Sequence, residues 1–207
     1  MINKLIAAFV GIAFTGLAFS HADAGMKVRM GTEGAYPPFN NVDADGKLVG
    51  FDVDIGNAIC EAAKFECTWV IQDWDGIIPG LLAKKFDTIL ASMSITAERK
   101  EKVDFSDMYY STPAKFFAKK GAGITITKSG LKGKTIGVQR ATIHENFARD
   151  NFGDVADIKS YATQDEVYLD LASGRLDTGI ADSVAVDEGF IQTDAGKGFE
   201  LIGPGFN

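Results

Sequence analysis

The chain has 207 residues, 46% of them hydrophobic and 24% charged. That length holds one or two modest domains with a packed core, and the composition excludes disorder as the main state. A net charge of -7 leaves no basic footprint for a phosphate backbone, which argues against nucleic acid and leaves a small cationic ligand open.

Read from the start, Lys4 precedes an apolar run from Leu5 to Phe19, and Ala22-Asp23-Ala24 places small residues before Gly25. This is the pattern of a secretory signal peptide over 1–24, cut after Ala24. The run is too short for a membrane anchor, and no later segment is long and apolar enough to span. Export places Cys60 and Cys67 in an oxidising compartment, where a disulfide is expected; two buried free thiols are the alternative. Two cysteines without fitting histidines give no metal site, and nothing in the sequence asks for a cofactor.

From Gly25 onward, short apolar strands alternate with helical patterns. Strands are expected at 27–31, 68–71, 88–91, 115–118, 135–138, 158–161 and 178–181. Helices are expected at 54–65, 75–84, 97–103, 144–151, 165–173 and 184–191. This alternation predicts an α/β fold of mainly parallel sheets covered by helices. The bridge between Cys60 and Cys67 would tie a helix to the strand it feeds. Two segments echo each other: LLAKKFDTILAS (81–92) and DLASGRLDTGIAD (170–182). Each has a helix end, a basic residue, an Asp, a short apolar strand and a polar residue just past it. Two similar lobes are one explanation and chance is another. Ligands of open α/β sheets bind beyond the carboxyl ends of strands, which points to Ser92, Ser94 and Asp182.

GFDVDIGNAIC (50–60), SMSITAERKEKVDFSDMYY (92–110) and GRLDTGIAD (174–182) together resemble the periplasmic binding proteins for polar amino acids. The resemblance is nearest to the lysine/arginine/ornithine- and histidine-binding group and covers most of 26–204. It implies a two-lobed periplasmic binding protein fold of type II, with lobe 1 over 25–112 and lobe 2 over 113–203. Hinge strands are expected near 110–115 and 203–206. Related chains return to complete lobe 1; here 204–207 would begin that return, and its remainder is expected to be missing.

The chemistry of a free amino acid explains the site residues. Its carboxylate and ammonium must each meet an opposite charge when a cleft closes, because an unpaired buried charge costs several kcal/mol. Arg99 offers a planar fork for the carboxylate, three residues after Thr96, a candidate helix N-cap. A solvated surface arginine is the plain alternative. Asp182 suits the ammonium, although it could instead cap the helix that follows. The resemblance adds the Ser92 carbonyl and the Ser94 hydroxyl as ammonium partners. It also implies Tyr36 and Trp74 as rings around the ligand's stem, and Glu33 as receiver of a distal cation, with Asp52 assisting through water. Phe39, Phe51, Phe105 and Phe117 are assigned to core.

The sequence departs from the family pattern at Ala91, Ala141 and Ile143. Thr142 is expected to supply the hydroxyl absent at Ile143, and His144 to be a helix-start residue. The expected function is capture of a free amino acid, a basic one (arginine, lysine, ornithine or histidine), by a monomer that delivers it to an inner-membrane ABC permease. Alternatives are a dehydratase on the same fold, which needs a general acid or base in the cleft, a binder of opine-type conjugates, or a sensor domain.

Overall fold

A computed structural model describes residues 25–206; the expected signal segment 1–24 and Asn207 lie outside the described residues. Among the described residues no helix is long and apolar enough to cross a membrane.

The first α/β unit starts with β1 (Lys27–Thr32), followed by a small antiparallel sheet of β2 (Ala35–Tyr36), β3 (Asn40–Val42) and β4 (Leu48–Val49). Helix α1 (Phe51–Ala63) leads to β5 (Glu66–Ile71). A 3-10 turn (Trp74–Gly76), α2 (Ile77–Leu82), β6 (Thr88–Ile89) and α3 (Ala97–Lys100) follow. Strand β1 is central in the order β5-β1-β6, parallel to both neighbours. Helix α1 enters through Gly50 at φ 125°, where an added Cβ would lie 2.4 Å from the Phe39 carbonyl oxygen. Only glycine fits that approach.

The second unit holds β7 (Ala114–Lys119), β8 (Thr135–Gln139), α4 (Ile143–Phe152), β9 (Asp157–Tyr161), α5 (Gln164–Ala172), β10 (Thr178–Asp182), α6 (Ser183–Val186) and β11 (Phe199–Phe206). Its sheet runs β11-β7-β10-β8-β9; the pairs β10/β8 and β8/β9 are parallel, while β7 is antiparallel to β10 and β11. Alternating side chains fill both faces. Phe117, Ala181, Leu171 and Phe190 pack on one side, and Phe116, Ile180, Val138 and Ala148 on the other.

Several expectations need adjustment. The three short strands β2 to β4 and the 199–202 part of β11 are absent from the expected strands. Helix α3 stops at Lys100 rather than 103, and β6 ends at Ile89. The expected helix over 184–191 is α6 followed by a π-helical stretch, Asp187–Ile191. Residues 204–206, expected as the start of a hinge, continue β11 on β7 across an irregularity in register. Phe39 and Phe117 are core, but Phe105 is only half-buried and Phe51 is 41% exposed, stacked on Tyr109.

Cys60 on α1 and Cys67 on β5 form a disulfide with Cα atoms 6.1 Å apart. It ties the helix to the strand that follows, and closing so short a loop stabilises the fold by about 2–3 kcal/mol in the chain-entropy model.

Candidate functional site

The echo between 81–92 and 170–182 is structural. Lys84 and Gly174 both leave their helices at positive φ, 58° and 78°. Phe86 and Leu176, two positions on, are buried at 1% and 5% exposure. Asp87 then accepts a hydrogen bond from the Arg29 amide on β1 (2.8 Å), and Asp177 from the Thr135 amide on β8 (2.9 Å). The Asp87 and Asp177 amides return bonds to the carbonyls of those same two residues. Each carboxylate therefore fixes the register of one strand on its neighbour. Beyond the strands lie Ser92 in one unit and Asp182 in the other.

The strands β1 and β8 that receive these bonds aim at one another. Glu33 follows the last residue of β1 and Gln139 ends β8; Gln139 Nε2 donates to Glu33 Oε1 at 2.5 Å and to the Ala162 carbonyl at 3.2 Å. Between the units is a cavity partly open to solvent. It is lined by all eight sequence-derived candidates, Glu33, Tyr36, Trp74, Ser92, Ser94, Arg99, Thr142 and Asp182, joined by Ala91, Gln139, Ile143 and His144. Its lining, apolar and aromatic walls with converging charged groups, is that of a small-molecule site.

Arg99 is held from both units. Thr96 caps α3 by accepting the Arg99 amide at 3.2 Å, as its sequence position predicts. The guanidinium donates from Nη1 to the Ser94 carbonyl (2.8 Å) and from Nη2 to the Ala141 carbonyl (3.2 Å). Its Cζ lies 5.4 Å from the centre of the Trp74 ring, within cation–π range. Burial holds the Arg99 pKa below its ordinary value, so the site favours an anionic partner for it. Trp74 Nε1 donates to the same Ala141 carbonyl at 3.1 Å, and its ring packs with Ile77, Phe86 and Ala91. Trp74 is thus both core and cavity wall.

Asp182 does not cap α6: its side chain makes no capping bond. Instead it accepts from Tyr36 Oη at 2.7 Å and Thr112 Oγ1 at 3.0 Å. Burial pushes its carboxyl up, but the nearby His144 ring and the hydroxyl donors Tyr36 and Thr112 together outweigh this and hold it below the usual range. It remains an anion in the wall of the cavity. Tyr36 is therefore a strut for Asp182 as well as an aromatic wall. His144 is more than a helix-start residue. It is 7% exposed, lines the cavity, and its Nε2 stands 3.7 Å from Asp182 Oδ1 without a hydrogen-bond partner among the described residues.

Two expectations about supporting groups change. Asp52 does not assist Glu33; it is fully buried and accepts from Asn40 Nδ2 (2.9 Å), Ser92 Oγ (2.8 Å) and Tyr109 Oη (2.7 Å). Asn40 in turn accepts the Gly34 amide at 2.8 Å, so one network braces the loop after β1 and the Ser92 loop. The Thr142 hydroxyl does not replace a ligand hydroxyl: it donates to the Gln139 carbonyl and accepts the Glu145 amide as the cap of α4. The Ala141 amide is committed to Glu145 Oε2 at 2.8 Å. The first-turn amides of Ile143 and His144, which no intrahelical carbonyl can satisfy, remain for an anion.

Two loop residues adopt left-handed backbone without being glycine: Ser92 at φ 55° and Ala141 at φ 58°. Each costs about 1–2 kcal/mol; Ser92 lines the cavity, and the Ala141 carbonyl accepts from Arg99 and Trp74, which do. Glu33 is a strongly perturbed carboxyl. Burial raises its pKa to about 7, the Gln139 hydrogen bond opposes this, and Asp165, Asp73 and Asp75 add repulsion. A carboxyl so placed gains from a cation arriving beside it.

Residues 28–167 match the bacterial extracellular solute-binding proteins, family 3. The chain belongs to this family. It is 46% identical over 202 residues to the L-arginine-binding protein of Pseudomonas aeruginosa, covering 97% of this chain and 78% of that protein. The lysine/arginine/ornithine-binding periplasmic protein of Escherichia coli is 41% identical over 204 residues, with 98% and 78% covered. Among solved structures, an ancestral arginine-binding protein bound to arginine superposes with a TM-score of 0.82 at 34% identity, over 87% of this chain and 80% of that one. The fold is thus the α/β fold of periplasmic binding proteins, and the relatives are binding proteins rather than enzymes.

Proposed function

We propose that this chain captures a free basic amino acid, arginine foremost, in the periplasm and delivers it to an ABC permease. One observation carries the reading: Arg99 and Asp182, a cation and an anion from different units, face one cavity that also holds Glu33. An α-carboxylate on Arg99, an α-ammonium on Asp182 and a distal cation on Glu33 would leave no charge unpaired. The Ile143 and His144 amides would support the carboxylate, the Ser92 carbonyl and Ser94 hydroxyl the ammonium, and Tyr36 and Trp74 would flank the aliphatic stem. The relatives named for arginine and for lysine/arginine/ornithine favour the same ligand class.

Capture follows from the two-lobe arrangement, with 25–112 and 113–203 as lobes closing about strands near 110–115 and 203–206. The bonds between units, Gln139 to Glu33, Trp74 and Arg99 to Ala141, and Arg140 to Asp75 at 2.5 Å, would form on closure. A permease must distinguish loaded from empty protein, and closure supplies that difference.

A thermal-shift screen against all amino acids tests the reading, because a ligand that binds only the folded form raises Tm. Arginine, lysine and ornithine should raise it most and glutamate not at all. A dominant shift with glutamate would refute the cationic assignment.

A further inference from the structure

We infer that Gln139 makes the cavity prefer a guanidinium over an alkylammonium. The inference rests on the proposed function, since it concerns how the far end of a basic amino acid is read. Gln139 is 3% exposed and lines the cavity beside Glu33. It stands at the end of β8 as Glu33 stands after β1, so the two α/β units each contribute one polar group to the same spot.

The orientation of its amide is fixed by its neighbours. Nε2 faces two acceptors, Glu33 Oε1 at 2.5 Å and the Ala162 carbonyl at 3.2 Å, which together use both amide hydrogens. The reversed amide would set its carbonyl oxygen against both. That leaves Gln139 Oε1 as a free acceptor, with no donor among the described residues, and Glu33 Oε2 likewise. Neither oxygen is sealed in the protein, since neither is among the buried atoms left without a partner. Two acceptors on two mutually bonded groups are thus open to an incoming cation.

A guanidinium presents N–H groups in a rigid planar fork, and each acceptor can take a separate one. An alkylammonium is a compact point charge whose interaction with Glu33 is largely charge with charge; a neutral amide oxygen adds less to it. Gln139 Oε1 therefore contributes more to arginine than to lysine, while the α-amino-acid contacts are common to both.

The test is calorimetric titration of arginine and lysine into wild type, Gln139→Leu and Gln139→Met at pH 8.5, above the value of about 7 for Glu33, so that its charge is the same throughout. Cooperative thermal melts confirm folding, and two replacements of different shape guard against a packing artefact. The arginine-to-lysine affinity ratio should fall at least about tenfold in both variants, as expected for removing a polar partner from a desolvated site. An equal loss for both ligands would overturn the inference and make Gln139 only a prop for Glu33. An unchanged ratio with unchanged affinities would overturn it too. Failure of wild type to bind either cation would instead refute the proposed function, and the inference with it.

Discussion

The two α/β units share one local plan and finish it differently. In both, a positive-φ residue ends a helix, an apolar residue plugs the sheet, and an aspartate clamps the neighbouring strand, Asp87 on β1 and Asp177 on β8. Past that point the first unit turns through Ser92 in a left-handed conformation braced by Asp52, whereas the second ends on Asp182, held as an anion by hydroxyl donors. The strand partners differ in the same way, Glu33 in one and Gln139 in the other. A common scaffold sets where the strand ends point, and the terminal residues supply unlike chemistry to one cavity. That division separates residues that hold the frame from those that meet a ligand.

The largest effects should come from the charges at the strand ends and loops. Asp182→Ala and Arg99→Ala should each cost about 2–5 kcal/mol of amino-acid binding, roughly 30- to several-thousand-fold, by leaving a ligand charge unpaired. Both proteins should still melt cooperatively. By contrast, Asp87→Ala and Asp177→Ala should lower Tm in the two units comparably, with little loss of affinity in whatever fraction remains folded. If Asp182→Ala binds like wild type in calorimetry, the contrast between frame and contact residues fails.

An intermediate effect follows from Glu33. Its pKa, about 7 in the closed arrangement without a cation, must fall when a cation binds beside it, so binding to that arrangement releases a proton below pH 7. Arginine affinity should therefore drop about tenfold per pH unit below 7. Citrulline, the neutral isostere, should show no such slope, and Glu33→Gln should abolish it for arginine. The fold itself responds with the opposite sign: a carboxyl raised on folding costs stability as pH climbs from its ordinary value, near 4.5, to about 7. A flat arginine profile in wild type would place Glu33 outside the ligand's reach.

The smallest effect concerns strain. Ala141 at φ 58° should be relieved by Ala141→Gly, which should raise stability by about 1 kcal/mol in denaturant melts. Loss of stability would mean that the Cβ packs more favourably than the backbone is strained.

Much of this was legible from residue order. The alternation of strands and helices, the Thr96 cap and the cysteine pair come from period and spacing; Arg99 and Asp182 follow from the charges of a free amino acid, whereas Glu33, Tyr36 and Trp74 come from the family resemblance. What was not legible depends on contacts distant in sequence. The strand expected near 203–206 in fact begins at Phe199 as β11, an edge strand that tolerates Pro204 because one side lacks a ladder partner. Asp52 looked like a ligand group because it sits in a motif; only the fold shows it buried among Asn40, Ser92 and Tyr109. His144 and Gln139 carried no motif. Gln139 could have been found by applying to β8 the strand-end rule that singled out Asp182 after β10.

The most direct test of the account is a side-by-side calorimetric titration of the wild-type protein with L-arginine and agmatine, which keeps the guanidinium but lacks the α-carboxylate. The clamp predicts one arginine per chain and agmatine at least about a hundredfold weaker, because Arg99 is left facing no anion in a desolvated cavity. Equal affinity for the two would show that Arg99 does not hold a carboxylate and would contradict the account at its centre.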